Sequence, residues 1–172
     1  MITLKKIAHV TGYSVSTISK ALNGRNDISE EAKKTILDFA KKNQYVPNKN
    51  AIALRRCKSN NIAVILPQIN HKFYSEALSN MQRIASKKGY RIMLFQSFEE
   101  RAKEIECLNE VKDGSVDGVI ILSVNENQNF INTYRMLHSI PVQFIQISEN
   151  QPLTILNENC ISDFKNLLKK IN

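Results

Sequence analysis

Four hydroxyl side chains and one lysine lie close together near the start of the chain. Ser14, Ser16, Thr17 and Ser19 carry the hydroxyl groups, and Lys20 carries the ammonium group. Hydroxyl groups and the N-terminal amides of a helix suit phosphate oxygens. A lysine one turn further along can reach a guanine edge or a phosphate. This spacing therefore favours contact with nucleic acid.

A tight turn at Gly12 separates the two helices that must position these side chains. Glycine adopts a left-handed turn at the least steric cost, and Ser14 offers an oxygen to the unpaired amides of a new helix. Two short helices around such a turn form the helix-turn-helix pattern; an ordinary helical hairpin with a solvated face is the alternative. Apolar residues recur at helical spacing on both sides of the turn, at Leu4, Ile7, Ala8 and Val10 and at Val15, Ile18, Ala21 and Leu22.

A third helix is predicted after Ser29, because Glu30 and Glu31 then lie in its first turn. About 45 residues make only a marginal core, so this unit should be modestly stable. The expected three-helix core consists of Ile7, Val10, Ile18, Leu22, Ala32, Ile36, Phe39 and Ala40.

The positive charge is concentrated at the N-terminal end. The 172 residues carry a formal net charge of +8. Residues 1–60 hold twelve Lys and Arg against four acids, whereas the remaining residues hold twelve of each sign. A basic arm beside a neutral domain is typical of nucleic-acid binding. A highly charged surface that serves only solubility is the alternative, but it does not predict this partition.

Three scattered cysteines, Cys57, Cys107 and Cys160, show no CxxC spacing. Such a count favours free thiols in a reducing compartment. The sequence shows no signal peptide and no apolar run of about 18 residues. We therefore expect a soluble cytoplasmic protein.

A resemblance to the lac repressor family of bacterial transcription regulators is carried by GYSVSTISKALNGRNDIS, then Tyr45-Val46-Pro47-Asn48, Ala51 and Leu54. It continues through NIAVILPQI, KKGYRIMLFQS, SVDGVIILS and IPVQFIQIS, and so covers nearly the whole chain. The N-terminal run is highly specific, whereas the later strands are shared with periplasmic sugar-binding proteins.

The resemblance implies a head whose second helix enters the major groove of DNA. Val15, Ser16 and Lys20 match the positions by which the family reads bases. The sequence departs from the family at Lys6, where an acid is usual, and this weakens the cap that Thr3 should give the first helix. The full set of expected DNA contacts is Thr3, Ser14, Val15, Ser16, Thr17, Ser19, Lys20, Asn23, Arg25, Tyr45, Asn48, Ala51, Leu54 and Arg55.

A hinge helix and linker at residues 47–60 should join a helix-turn-helix domain of residues 1–46 to residues 61–172. In the family, the matching stretch folds only on DNA, and paired hinge helices insert a leucine into the minor groove. Leu54 occupies that position, one turn after Ala51. About seven or eight residues cannot hold a helix alone, because nucleation is costly. A plain basic linker is the alternative.

Strands and helices alternate from Ile62 onwards, which specifies a parallel sheet with right-handed crossovers. The expected fold class is an all-α helix-turn-helix head followed by an α/β parallel-sheet lobe, similar to the first lobe of periplasmic binding proteins. Residues 153–156 suggest a short fifth strand. Strands are expected in IAVIL, YRIMLFQ, VDGVIIL and PVQFIQI, and helices in FYSEALSNMQRIASKK, EERAKEIECLNEVKD, 128–138 and 162–171.

A ligand site is expected beyond the C-terminal ends of the strands, where open parallel sheets bind ligands. In the family, aromatic residues after the first strand line the effector cleft. Phe73 and Tyr74 match them, although His71 and Lys72 replace the usual Asn-Pro pair. The alternative is that Phe73 and Tyr74 begin a core-facing helix. The expected ligand residues are His71, Phe73, Tyr74, Gln96 and Ser123.

Signals of enzyme chemistry are few. His9, His71 and His138 are scattered without metal spacing. The sequence lacks GxSxG, a P-loop and a GxGxxG after a strand. We therefore expect neither an enzyme nor a bound metal or cofactor.

The expected function is that of a DNA-binding transcription regulator, most simply a repressor that binds a palindromic operator. Its partners would be double-stranded DNA, a possible sugar-like effector and, on DNA, a second copy of the chain. Family members run to about twice this length, so the resemblance implies a sensor region truncated after its first part, a weak dimer and an incomplete effector cleft. The alternative is a small-molecule-binding lobe of the sugar-binding type that carries a vestigial DNA head.

Overall fold

The computed structural model describes residues 2–48, 51–53, 58–123, 140–147 and 152–171. The chain divides into two compact units, Met1–Asn48 and Lys49–Asn172. We call the first unit the head and the second the lobe. The division falls within the segment from 47 to 60 in which the sequence predicts a hinge.

Three helices build the head: α1 (Leu4–Thr11), α2 (Val15–Leu22) and α3 (Glu30–Lys42). Each begins after a hydroxyl residue whose oxygen accepts a hydrogen bond from a first-turn amide, namely Thr3, Ser14 and Ser29. Gly12 ends α1 with φ at 74°, a left-handed conformation that glycine adopts without steric cost. The predicted helix-turn-helix is confirmed.

The core of the head is small and involves all three helices. Its buried residues are Ile7, Ile18, Ala21 and Ile36, against which Phe39 and other half-buried side chains pack. One expectation is wrong. Val10 is 55% exposed, so it does not belong to this core. A helix of eight residues buries a narrow stripe, and Val10 lies at the margin of that stripe on α1.

A helical turn at residues 51–53 precedes the first strand of the lobe. Ala53 accepts a hydrogen bond through its carbonyl oxygen from the N–H of Lys58 at 3.3 Å. Leu54 and Arg55, which the sequence analysis assigns to DNA, lie outside the described residues, as does Cys57.

Four parallel strands form the sheet of the lobe: β1 (Asn61–Leu66), β2 (Arg91–Gln96), β3 (Gly118–Ser123) and β4 (Val142–Gln146). Their order is β2-β1-β3-β4. β1 pairs with β2 from Asn61 with Arg91 to Leu66 with Gln96. Strands β1 and β3 are buried nearly throughout, as expected when helices cover both faces of a parallel sheet.

Helices α4 (Lys72–Lys87) and α6 (Leu153–Ile171) pack on one face of the sheet. Helix α5 (Arg101–Glu110), followed by a 3-10 turn at Val111–Asp113, packs on the other face. The α/β parallel-sheet lobe is therefore confirmed. The predicted helix at 128–138 lies outside the described residues. None of the described helices has the length and apolarity that crossing a membrane would need.

The predicted fifth strand at 153–156 is wrong. These residues form the first turn of α6, which runs without a break to Ile171. The buried positions are Leu156, Cys160, Phe164, Leu167 and Leu168. This spacing of three and four residues is that of one helix face, and tertiary packing outweighs the strand preference of a short apolar run.

Candidate nucleic-acid interface

The N-terminus of α2 is fixed by its own hydroxyl groups. The N–H of Thr17 donates to Oγ of Ser14 at 3.1 Å. The two hydroxyl oxygens, Ser14 Oγ and Thr17 Oγ1, lie 2.9 Å apart and share a hydrogen bond. This cap leaves the amides of Val15 and Ser16 in the first turn, where N–H groups have no partner within the helix. A positive end of a helix dipole is thus presented at the start of α2.

The outer face of α2 carries small residues and one cation. Val15 and Ser16 are exposed, and the Lys20 side chain is 44% exposed. Ile18 and Ala21 face the core and hold the helix in place. Side chains this short would let the backbone approach base edges closely, while Lys20 reaches further.

Lys20 has an acidic neighbour that the sequence analysis did not single out. Its Nζ lies 2.6 Å from Oδ2 of Asp27. The hydrogen bond from Lys20 and the positive charges of Lys20 and Arg25 hold the pKa of Asp27 below its usual value. Lys20 on α2 and Asp27 in the following loop are seven positions apart, a separation that leaves no periodic signal in the sequence, so the pattern alone could not have indicated their contact.

The other predicted DNA contacts in the head differ in the hydrogen bonds and the burial of their side chains. The Oγ1 of Thr3 accepts a hydrogen bond from the N–H of Lys6 at 3.3 Å. The Asn23 amide donates to the Ser19 carbonyl oxygen at 2.6 Å. Tyr45 is half-buried against the head core, and this burial raises its pKa. Arg25 and Asn48 are exposed, as is Ala51 in the lobe.

The predicted ligand residues of the lobe lie at or just after the C-terminal ends of the strands. Tyr74 is 4% exposed and belongs to the lobe core. This agrees with the alternative that Tyr74 lies at the start of a core-facing helix. The His71 ring stacks on Phe73 with centroids 5.5 Å apart. Gln96 accepts a hydrogen bond through Oε1 from the N–H of Ile69 at 2.8 Å. Ser123 ends β3 and is half-buried. The role of these residues in ligand binding stays a prediction.

Within the part of the chain that the structure describes, no three acidic, histidine or cysteine side chains lie close enough together to hold a metal ion. Cys107 and Cys160 are buried free thiols.

Two family models match the chain. Residues 3–48 match that of bacterial regulatory proteins, lacI family. Residues 59–159 match that of periplasmic binding proteins and the sugar binding domain of the LacI family. The two matches fall on the head and on the lobe respectively.

Curated relatives include bacterial regulators. The chain is 24% identical to the HTH-type transcriptional regulator DegA of Bacillus subtilis, over 95% of this chain and 48% of that protein. It is 34% identical to the regulator RegA of Clostridium saccharobutylicum, over 70% of this chain and 36% of that protein. It is 32% identical to the ribose operon repressor of B. subtilis, over 70% of this chain and 37% of that protein. The chain thus spans about half, or less, of the length of these relatives.

Solved structures share the fold. The lac repressor dimer bound to operator and an anti-inducer superposes with a TM-score of 0.76 at 20% identity, over 88% of this chain and 46% of that one. A LacI family regulator from Silicibacter pomeroyi superposes with a TM-score of 0.65 at 22% identity, over 99% of this chain and 62% of that one.

The extent of the family match settles the assignment. The model of the sugar binding domain alone spans residues 59–159 of the 172-residue chain, which is more than half, and the lacI model accounts for the helix-turn-helix. The chain belongs to the lacI family of bacterial regulatory proteins.

Proposed function

We propose that the head binds double-stranded DNA in a sequence-specific manner and that the protein regulates transcription, as a repressor of a palindromic operator. The observation that carries the proposal is the outer face of α2, where Val15 and Ser16 are exposed beside Lys20 on a capped helix. The excess of basic residues in the head supports it. The names of the relatives, which include a ribose operon repressor, agree with it.

In this proposal, α2 lies in the major groove and its exposed residues contact base edges. Two heads would bind the two halves of a palindrome, about one helical turn apart. The lac repressor, which shares this fold, forms a dimer bound to operator, and this supports a two-fold arrangement for the present chain. A regulator of transcription acts where the DNA is, so we place the protein in the cytoplasm as part of the proposal.

Selection of duplexes from a random library, followed by fluorescence anisotropy at several salt concentrations, tests this function. We expect a two-fold symmetric site to be enriched. We expect its affinity to fall steeply with salt, with a slope of about −0.9 for each phosphate neutralised. Failure to enrich any site, with a Kd for the selected pool equal to that for random duplex, would contradict the proposal.

The second candidate is small-molecule binding by the lobe, with a head that serves no regulatory purpose. The specific observation in its favour is the stacked His71 and Phe73 pair just beyond β1, at the edge where parallel sheets bind ligands. Thermal unfolding with and without a panel of pentoses and hexoses would separate the two. A ligand-dependent rise in Tm without any DNA binding would favour the second candidate.

A further inference from the structure

Asp27 lies in the loop between α2 and α3 and contacts the side chain that is expected to read a base. The carboxylate Oδ2 is 2.6 Å from Nζ of Lys20, and the two side chains are 60% and 44% exposed. The loop brings them together because it folds back over the last turn of α2. The N–H of Arg25 donates to the carbonyl oxygen of Lys20 at 3.0 Å. The residue before Arg25 is Gly24, whose φ of 68° lies in the left-handed region.

The position of Asp27 has no evident role in the fold. The head holds three other acids. Glu30 and Glu31 lie in the first turn of α3, where the helix dipole favours negative charge, and Asp38 lies on the exposed face of that helix. Asp27 lies outside the helices, and Ser29 provides the cap of α3. An exposed ion pair contributes little to stability. A negative charge beside a DNA-binding face repels phosphates. We therefore look for the role of Asp27 in DNA binding.

The ion pair affects correct and incorrect DNA differently. An ammonium group has three N–H donors, so Lys20 can keep one on Asp27 while it donates another to a guanine O6 or N7 in the major groove. On DNA without the correct base, Lys20 can only turn to a phosphate, as a point charge. That turn would leave the carboxylate of Asp27 without its cation and close to phosphates of like charge, which is unfavourable.

We propose that Asp27 is a specificity-determining residue, which holds Lys20 in the orientation for base reading and penalises binding to phosphates alone. This inference rests on the proposed DNA-binding function and deepens it. In it, Asp27 acts as a repulsive element that disfavours incorrect DNA, beside the attractive contact of Lys20 with the correct base. Specificity is a difference between two affinities and often requires such a repulsive element. The lowered pKa of Asp27 reflects the same contact, because the hydrogen bond from Lys20 is its largest cause.

The test compares Asp27→Asn with Asp38→Asn. Each substitution removes one negative charge from the head, but Asp38 forms no ion pair with Lys20. Anisotropy measures the Kd of each variant for the selected duplex and for a scrambled duplex, between about 50 and 200 mM salt. Thermal unfolding followed by circular dichroism confirms that both variants are folded, which we expect because both side chains are exposed.

We expect Asp27→Asn to lower the ratio of specific to nonspecific affinity by about three- to tenfold, chiefly by tightening binding to the scrambled duplex. The salt slope on the scrambled duplex should steepen by about one, because Lys20 gains a phosphate contact. Asp38→Asn should change both affinities by the same factor. In a Lys20→Ala background, Asp27→Asn should leave the ratio unchanged.

The outcomes separate the two proposals. If the wild-type protein prefers its selected site but Asp27→Asn behaves as Asp38→Asn does, the role of Asp27 is overturned and the DNA-binding function stands. If Asp27→Asn lowers the ratio equally with and without Lys20, the carboxylate acts independently of the ion pair, and the positioning role is overturned. A wild-type protein without any preferred site would overturn both proposals.

Discussion

The carboxylate of Asp117, just before β3, accepts two hydrogen bonds from Ser59, just before β1. The backbone N–H of Ser59 donates to Oδ1 at 2.7 Å and its hydroxyl at 2.9 Å. Oδ2 accepts a third bond, from the N–H of Asn60 at 2.9 Å. This carboxylate therefore ties the residues just before β1 to the start of β3.

We expect Asp117→Ala to lower the free energy of unfolding of the lobe by about 2–4 kcal/mol. Hydrogen bonds to a charged group contribute about 1.5–3 kcal/mol each, and those that share one acceptor are not additive. Asp113→Ala is the matched control, because Asp113 is exposed and accepts from the N–H of Ser115 in a local turn. Urea unfolding followed by circular dichroism measures both. Equal stability of the two variants would show that the attachment contributes little.

The C-terminal turn of α6 is expected to limit the size of the side chain at position 118. A Cβ on Gly118 would lie 2.8 Å from Cδ1 of Ile171 and 3.2 Å from Cδ1 of Leu167. Gly118→Ala should therefore destabilise the lobe by about 1–2 kcal/mol, as overpacking in a core does.

Ile171→Val removes the closest of these atoms and should recover part of that loss when it is combined with Gly118→Ala. A double variant no more stable than Gly118→Ala alone would contradict this placement of α6.

Cys160 should be the least reactive of the described thiols. It is fully buried in the lobe core, and burial raises its pKa from 9.0 to about 12. Alkylation by iodoacetamide at pH 8, followed by mass spectrometry of the peptides, should find Cys160 labelled only when the protein is unfolded. Labelling of Cys160 in folded protein at the rate of the urea-unfolded chain would contradict this packing.

The raised thiol pKa also predicts a direction of pH dependence. The folded state retains the proton of Cys160 above pH 9.0, at which half of the thiols in the unfolded chain have lost it. This contribution to stability is fully present below pH 9 and is lost as the pH rises towards 12. In an otherwise identical Cys160→Ala variant, the fall in stability over this range should be smaller.

Ile7 and Val10 lie one turn apart on α1 but should respond differently to truncation. Ile7 is fully buried, whereas Val10 is 55% exposed. Ile7→Ala should cost about 2–5 kcal/mol, which a core of this size cannot tolerate. Val10→Ala should change the stability of the head by about 0.5 kcal/mol or less. Thermal unfolding of both variants tests the comparison, and similar losses would place Val10 in the core after all.

Local chemistry made the helix starts and most of the sheet predictable. Ser14 and Ser29 cap helices because a hydroxyl oxygen satisfies a first-turn amide a few atoms away, and the run from Ile62 to Leu66 is apolar because helices cover both of its faces. Val10 was misplaced because spacing indicates a face of a helix but not how wide the buried stripe is. The strand at 153–156 was wrong because a short apolar run fits a strand or a buried helix equally well.

The sequence predicts the position of the candidate interface better than it predicts the contacts between its side chains. The small outer face of α2 follows from the types and spacing of Ser16 and its neighbours. The Asp27 contact depends on how a seven-residue separation closes through a loop, which is a matter of tertiary geometry. The burial of Tyr74 in the lobe core likewise depends on what packs against α4, so the sequence left its two roles open.

The base preference of a Lys20→Ala variant tests the account most directly. Binding should be measured on the selected duplex and on all single base-pair substitutions of one half-site. We expect a loss of about 1–3 kcal/mol on the selected site, with discrimination relaxed at one base pair and retained at the others. An equal loss on every duplex, with all preferences intact, would make Lys20 a phosphate contact and contradict its assignment as a base-reading residue of α2.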